Sequence, residues 1–213
     1  MPGAGHDLRA EFARALAGWD WDVALLQEVP PWWPPALARA CDADARIVLT
    51  SRNALLAARR FAAERRPDVI KSSGGGANAI LVRGGAIADH RRLLLRRWPE
   101  RRVCHAVALH DGSWCANLHA QVRPPERAQA DIVRAAAAAL TWSRGGPTVL
   151  GGDFNVRRPS VPEFDWLGGN GVDHVLGHDV TAGPPAELPE HGRLSDHAPV
   201  IVTVLPRGHA AAK

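Results

Sequence analysis

Polar side chains of three chemical types stand where apolar stretches of this sequence begin or end. The members of this set are Glu28, Asn117, His119, Asp153, Asn155, Asp173, Asp196 and His197. A charged group at the end of a buried strand is costly unless it is paired or bound to a metal. We therefore expect these carboxylate, amide and imidazole groups to converge on one polar cleft.

The donor types in this set indicate which chemistry the cleft would perform. Glu28, Asp153 and Asp196 offer carboxylate oxygens, Asn155 offers an amide oxygen, and no cluster of thiols accompanies them. Hard oxygen donors suit Mg²⁺ or Mn²⁺ better than structural zinc, and the histidines add acid–base capacity near neutral pH. A hard divalent ion combined with histidines is suited to the attack of water on a phosphate ester.

Short apolar runs and a few amphipathic stretches would position these groups. Strands are predicted at 22–27, 46–50, 78–82, 87–95, 103–109, 114–119, 148–151, 172–176 and 199–205, and helices at 8–16, 54–64 and 126–142. The dipeptide Asp111-Gly112 predicts a tight hairpin between two of these strands. Many short strands with few helices predict the α+β class, with a two-layered β core covered by helices.

Length and composition exclude several classes of protein. The chain has 213 residues, 46% of them hydrophobic and 23% charged, which is typical of a globular protein and not of a disordered or fibrous one. We expect one domain over residues 1–206 and a flexible tail over 207–213. Three cysteines without a CxxC pair argue against a disulfide framework. Since no apolar run approaches the roughly 20 residues that cross a bilayer, we expect a cytoplasmic protein without stable membrane insertion, a monomer by default.

The balance of charge permits a polyanionic partner without requiring one. The formal net charge is +4, and all basic residues except Lys71 and Lys213 are arginines. A run of arginines fits either a phosphate-tracking surface or an ordinary solvated face. The residues of this run are Arg91, Arg92, Arg96, Arg97, Arg101 and Arg102.

Three short pieces of the sequence resemble, in their order along the chain, signatures of the endonuclease/exonuclease/phosphatase superfamily. They are Leu26-Gln27-Glu28, Gly152-Asp153-Phe154-Asn155 and Ser195-Asp196-His197. Weaker pieces at 76–81, 117–119 and 172–174 keep the same order. The resemblance implies the deoxyribonuclease I-like fold, a four-layered α/β/β/α sandwich of two mixed β-sheets flanked by helices.

The resemblance also implies a metal and a water-binding pair. Glu28 resembles the carboxylate that binds the catalytic metal, Mg²⁺ or Mn²⁺, and Asp196 resembles a second carboxylate on the metal side. Asp153 and Asn155 resemble the catalytic pair that holds the attacking water and contacts the scissile phosphate.

Acid–base roles follow from the same resemblance. His197 resembles the catalytic histidine that contacts the phosphate or accepts a proton from water, and Asp173 would fix its tautomer. His119 resembles a second catalytic histidine, which assists protonation of the leaving group. Three further residues are candidates for supporting roles: Glu100, as the carboxylate partner of His119, Asn78 and Asn117.

One family signature is missing from the N-terminal stretch. Family members open with a strand that ends in Trp-Asn or a close variant, whose Asn belongs to the metal site, whereas no Asn precedes Asn53 in this sequence. The first strand and its ligand are therefore absent from residues 1–21. The resemblance survives this departure, and the expectation of activity weakens.

The implied activity is metal-dependent phosphoester hydrolysis, with nucleic acid or another phosphoester as the partner. A phosphodiesterase or nuclease that cleaves by in-line attack of an activated water is the main hypothesis. Two alternatives stay open: a phosphoesterase for small-molecule or lipid headgroup phosphates, and a catalytically silent binding module that lacks the first strand. Ordinary structural interpretations also exist, in which Glu28 is a solvated turn residue and Asp153 with Asn155 caps a turn.

Overall fold

The computed structural model describes residues 8–50, 76–85, 87–192 and 194–207. The chain divides into two compact units, one of Met1–Gly85 with Pro189–Pro199 and one of Ala86–Leu188 with Val200–Lys213. The single domain expected over residues 1–206 stays a prediction. The helix predicted at 54–64 and residues 208–213 of the predicted tail lie outside the described residues.

The described residues of the first unit form two helices and a three-stranded antiparallel sheet. Its elements are α1 (Arg9–Gly18), β1 (Val23–Val29), α2 (Pro34–Ala40), β2 (Ala43–Leu49) and β3 (Ala77–Arg83). Strand β3 lies between β1 and β2, so it is paired on both edges. Alternate residues of β3, Ala77, Ala79 and Leu81, pack with Leu16 of α1 and Leu37 of α2 in one buried cluster.

An arginine of β3 closes the end of α1. The Arg83 guanidinium donates hydrogen bonds to the carbonyls of Trp19 (3.2 Å) and Ala17 (3.3 Å). It also lies 4.3 Å from the centroid of the Trp21 ring, a cation–π distance. A cation near the last carbonyls of a helix complements the negative end of the helix dipole. These contacts therefore attach the C-terminal end of α1 to β3.

In the part of the second unit that the structure describes, a six-stranded sheet is accompanied by one long helix. Its elements are β4 (Ile87–Arg96), β5 (Arg102–Leu109), β6 (Trp114–His119), α3 (Pro125–Ser143), β7 (Thr148–Asp153), β8 (Asp165–Asn170), β9 (Asp173–His178), β10 (Val180–Ala182) and β11 (Val204–Pro206). The sheet has the order β4-β5-β6-β7-β9-β8, and β10 pairs with β11 separately. Only the β6–β7 pair of this sheet is parallel among the described residues.

Helix α3 is the crossover that makes β6 and β7 parallel. It begins with Pro125, a favoured residue type at the first helical position, and its C-cap residue Arg144 takes a left-handed conformation with φ 55°. Its buried side chains, chiefly alanines and Ile132, pack on one face of the sheet against Leu118, Leu150 and other apolar residues. Helix α3 therefore covers one face of the six-stranded sheet and does not cover the opposite face.

The α+β class with two main sheets is confirmed. The six-stranded sheet is mixed as expected, whereas all described pairs of the three-stranded sheet are antiparallel. The predicted hairpin forms: the Leu109 N–H donates to the Ser113 carbonyl (2.9 Å), and Gly112 takes a φ of 86° that favours glycine. Within the described ranges, no helix combines the length and apolar character that a membrane crossing requires.

Four elements differ from the sequence predictions. The sequence analysis predicts no helix at 34–40 and no strands at 165–170 or 180–182, yet α2, β8 and β10 form there. Two prolines open α2, and β8 contains a pair of glycines, so both stretches have the composition of loops. The strand predicted at 199–205 is observed only at Val204–Pro206.

Candidate functional site

Three of the predicted site residues form a row across the six-stranded sheet. The strand register pairs His119 at the end of β6 with Asp153 at the end of β7, and pairs Asp153 with Asp173 at the start of β9. His119 Nε2 lies 3.5 Å from Asp153 Oδ2, and the two carboxylates offer oxygens within 4.8 Å of each other. The register alone thus brings an imidazole and two carboxylates to one edge of the sheet.

A tight turn after β7 brings Asn155 beside this row. The Asn155 backbone N–H donates to Asp153 Oδ1 (2.9 Å), and its side-chain Nδ2 donates to the Ala120 carbonyl (3.0 Å). Asn155 has a φ of 54°, a left-handed conformation that asparagine tolerates better than most residues. The turn therefore joins the segments that follow β6 and β7, and it holds Asn155 in a conformation set by its neighbours.

Buried polar side chains continue along the same face of the sheet. Asn117 lies two residues before His119 on β6 and pairs with His105 of β5, and both side chains are fully buried. His90 Nε2 lies 3.2 Å from His105 Nδ1. Burial lowers the pKa of His105 to about 3, with a smaller contribution from His90, so this imidazole is neutral in the folded protein.

Glu100 precedes β5 and forms an ion pair with Arg102. The Arg102 side chain is only 3% exposed, so a carboxylate beside it compensates a buried positive charge. The residue found near His119 is Asp153. The pairing of Glu100 with His119 stays a prediction.

Glu28 and Asn78 lie opposite each other in the first unit. Leu26 pairs with Ala79 and Val29 with Ala77, so two residues of β1, Gln27 and Glu28, oppose the single residue Asn78 of β3. This is a β-bulge, in which Glu28 is exposed with a φ of 53° and Asn78 is fully buried. Bulges change the direction of a side chain at a functional edge, and a left-handed glutamate is uncommon.

Asp196 and His197 lie in the segment Pro189–Pro199 of the first unit, outside helices and strands. Both residues are exposed, and the His197 backbone N–H donates to the Ser195 hydroxyl oxygen (3.0 Å). This bond closes a short turn of the kind that serine side chains stabilise. The functional roles of both residues stay predictions.

The donors of the second unit fit a hard divalent cation. Asp153 and Asp173 present carboxylate oxygens close enough together to share one ion or its hydration shell. Oxygen ligands of this kind suit Mg²⁺ and Mn²⁺, and they do not by themselves select one of the two.

Sequence reasoning missed His105 and His174, two buried histidines of the six-stranded sheet. His105 stands inside the apolar stretch 103–109, and an imidazole in such a stretch is a usable signal because it needs a polar partner. His174 directly follows Asp173 in the family-like piece 172–174, and the sequence pattern indicates no separate role for it.

An imidazole can transfer protons, and paired carboxylates can bind a divalent cation. An α+β chain with both groups at one sheet edge fits the class of metal-dependent hydrolases. The chain belongs to the Endonuclease/Exonuclease/phosphatase family, which it matches over residues 3–197. This is a superfamily of metal-dependent phosphoesterases and nucleases. No curated protein matches the sequence.

Solved structures show the same fold at low sequence identity. A functionally unknown conserved protein from Enterococcus faecalis has 15% identity and a TM-score of 0.68, with 93% of this chain and 90% of that chain covered. The mannosyl-6-phosphatase of Bacteroides thetaiotaomicron has 15% identity and a TM-score of 0.59, covering 82% and 78%. TDP2 from Caenorhabditis elegans has 14% identity and a TM-score of 0.54, covering 82% and 61%.

Proposed function

We propose that the protein is a metal-dependent phosphodiesterase that cleaves nucleic acid by in-line attack of water. The row of His119, Asp153 and Asp173 carries this proposal, because it combines carboxylates that can orient water and phosphate with an imidazole for proton transfer. Membership of the family supports the same chemistry.

Each residue of the proposed mechanism acts on a defined group. Glu28 and Asp196 would hold Mg²⁺ or Mn²⁺, which when bound offsets the negative charge of the phosphoryl oxygens. Asp153 and Asn155 orient the attacking water and the phosphate. His197 would accept a proton from that water, the role that the family resemblance implies for it.

The leaving group receives its proton from His119. As the new P–O bond forms, the ester P–O bond on the opposite side breaks, and the departing oxygen takes the proton from the His119 imidazole. Asp153 Oδ2 lies 3.5 Å from His119 Nε2, so the carboxylate and the imidazole of the row face each other.

Exposed arginines support a polymeric substrate. Arg123 follows β6, and Arg157 with Arg158 follows β7, so these exposed side chains leave the sheet from the ends of its two parallel strands. Arg127 is exposed in the first turns of α3 beside them. A nucleic acid has phosphates on both sides of the scissile bond, and guanidinium groups suit phosphates geometrically and electrostatically.

The test is cleavage of end-labelled single- and double-stranded DNA and RNA with Mg²⁺ or Mn²⁺, with and without EDTA. We expect metal-dependent cleavage and a loss of about 10³-fold in kcat for Asp153→Asn. Asp165→Asn is the matched control, because Asp165 is an exposed aspartate of the same sheet that pairs with Arg207. Absence of cleavage of every nucleic acid by the wild type with either metal would overturn the proposal.

Hydrolysis of a small phosphomonoester is the second candidate. The fold likeness to a mannosyl-6-phosphatase favours it. Release of inorganic phosphate from sugar 6-phosphates, with no inhibition by excess DNA, would support this candidate over the nuclease.

We also propose a monomer in a reducing cytoplasmic compartment. Cys41, Cys104 and Cys115 are free and buried, and burial raises the pKa of the Cys104 and Cys115 thiols to about 12. Thiols in this state pack as small apolar groups and take no part in the chemistry. Size-exclusion chromatography with light scattering tests the monomer.

A further inference from the structure

We propose that His174 is a positioning residue that holds Asn155 in place for the reaction. The inference rests on the proposed function, in which Asn155 orients the phosphate or the water. His174 itself stays away from the reacting atoms, because successive residues of a strand point to opposite faces. Asp173 belongs to the row with Asp153, whereas His174 faces the cluster of Phe154 and α3.

Two hydrogen bonds define the state of the His174 ring. The Trp166 indole Nε1–H donates to His174 Nδ1 at 3.2 Å. An indole N–H only donates, so Nδ1 must be the unprotonated acceptor of a neutral imidazole. The proton is then on Nε2, which donates to the Val156 carbonyl at 2.9 Å. Trp166 thus selects the one tautomer that can bind the segment after Asn155.

The ring also contacts the residue before Asn155. Phe154 is fully buried, and its ring centroid lies 5.6 Å from that of His174 at an angle of 66°, an edge-on contact. The Phe154 backbone N–H donates to the Val172 carbonyl (2.9 Å), two residues before His174. Since Phe154 and Val156 are both held by the start of β9, the left-handed Asn155 between them has little freedom to relax.

The sheet leaves a space for this ring at a glycine. Gly169 of β8 pairs with His174, and a Cβ added there would lie 2.5 Å from His174 Nδ1 and 2.6 Å from the Asp173 carbonyl oxygen. A side chain at position 169 would therefore displace the ring from its hydrogen bonds. Gly169 gives this stretch the composition of a loop, and the structure explains it by the space that the His174 ring needs.

Two substitutions separate the hydrogen bonds of the ring. Glutamine can donate from near the Nε2 position, so His174→Gln keeps the bond to the Val156 carbonyl. Asparagine places its acceptor near Nδ1, so His174→Asn keeps a partner for Trp166 and loses the bond to Val156. We expect His174→Asn to lower kcat by about 10²-fold with KM nearly unchanged, because a catalytic group misplaced by about 1 Å costs that much, and His174→Gln to restore most of the rate.

His178 provides a matched control on the same strand. Its Nδ1 bonds the Glu163 carbonyl (2.7 Å), and its ring lies 5.8 Å from that of Phe164. His178→Gln also breaks an imidazole–carbonyl bond of β9, but far from Asn155. We expect a lower thermal midpoint with kcat unchanged. If His174→Asn and His178→Gln have the same kcat, or if His174→Gln and His174→Asn do, the positioning role is wrong.

Hydrogen exchange tests the inference without catalysis. The Asn155 N–H donates to Asp153 Oδ1, so its exchange rate reports how firmly the turn is held. We expect faster exchange of this amide in His174→Asn and wild-type protection in His178→Gln. An unchanged rate in a folded His174→Asn overturns the inference even if the wild type cleaves nucleic acid. If His174→Asn does not fold, Trp166→Phe replaces it, since loss of the indole N–H should accelerate the same exchange, and no acceleration overturns the inference.

Discussion

The central strands of the six-stranded sheet are largely buried on both faces, and the two faces bury different kinds of side chain. On the face covered by α3, Cys104, Ala116, Leu118, Leu150 and Leu176 form one apolar cluster. On the other face, the buried residues of the central strands include His105, Asn117 and His119, with Asp153 and Asp173 in the same row. Alternation along each strand sends consecutive side chains to these two environments.

The two faces show that burial has different consequences for apolar and for polar side chains. Removing apolar groups from water stabilises the fold, by about 25 cal/mol per Å² of apolar surface. Removing polar groups from water costs stability unless they are paired, and strengthens the electrostatic interactions that a reaction needs. We therefore expect truncation of apolar side chains in the cluster under α3 to change stability, and substitutions on the polar face to change catalysis or pH dependence.

The largest expected effect is on catalysis, from His119→Gln on the polar face. Loss of a general acid lowers kcat by about 10²- to 10⁴-fold, while the amide keeps much of the volume of the imidazole. Steady-state cleavage kinetics and chemical unfolding of the same preparation measure the two quantities. A kcat within a few-fold of the wild type would contradict the role of His119.

Leu150→Ala on the α3 face should have the next largest effect, on stability. Leu150 is fully buried in the cluster, and such truncations lower the free energy of unfolding by about 2–5 kcal/mol. Urea unfolding measures the change, and kcat per folded molecule should equal that of the wild type. A large loss of kcat in folded Leu150→Ala would remove the distinction between the two faces.

His105→Gln should change how stability depends on pH. The pKa of His105 falls from 6.5 to about 3 on folding, so between these values the unfolded chain binds a proton that the folded chain does not. Stability conferred by the neutral imidazole is complete above pH 6.5 and is lost as pH falls toward 3. The substitution should reduce the slope of unfolding free energy against pH by up to about 1.4 kcal/mol per pH unit.

Urea unfolding of wild type and variant at several values between pH 6.5 and 4 provides the measurement. Parallel profiles would mean that His105 is not held neutral, and the polar face would then be more hydrated than the burial of its residues indicates.

The smallest effect is expected from Arg91→Ala, a substitution of an exposed residue on the edge strand β4. Arg91 is exposed and pairs with the exposed Asp89 (2.8 Å) on the edge strand β4. Surface ion pairs of this kind contribute little because water and salt screen them. Neither the urea midpoint nor kcat should change measurably, and a fall in nucleic acid affinity with unchanged kcat would identify this arginine as part of a substrate surface.

The sequence predicts the central strands well because their apolar runs have a clear period. Strand β6 is observed at the predicted residues 114–119, and α3 within one residue of its predicted ends. The ends of β6 and β7 bring His119 and Asp153 together because neighbouring parallel strands end at the same edge, a placement that local patterns can anticipate.

Strand β8, the bulge of β1 and the roles of two histidines depend on tertiary contacts, which local sequence patterns do not reveal. Strand β8 contains Gly168 and Gly169, whose added Cβ atoms would collide with Val202 and His174, so its glycines reflect packing and not a loop. The bulge that aligns Glu28 with Asn78 depends on the pairing of β1 with β3, strands far apart in sequence. His105 and His174 were missed for the same reason, since their partners belong to other strands or loops.

The left-handed conformation shared by Glu28 and Asn155 restricts which residues can replace them. With φ values of 53° and 54°, both positions disfavour β-branched side chains before any ligand or substrate is considered. A saturation library at either position should therefore retain folded glycine, asparagine and aspartate variants most readily. Glycine at position 28 would relieve backbone strain and remove a carboxylate. Selection for stability alone would therefore favour glycine over glutamate at this position. Retention of the glutamate would then indicate that its carboxylate has a function.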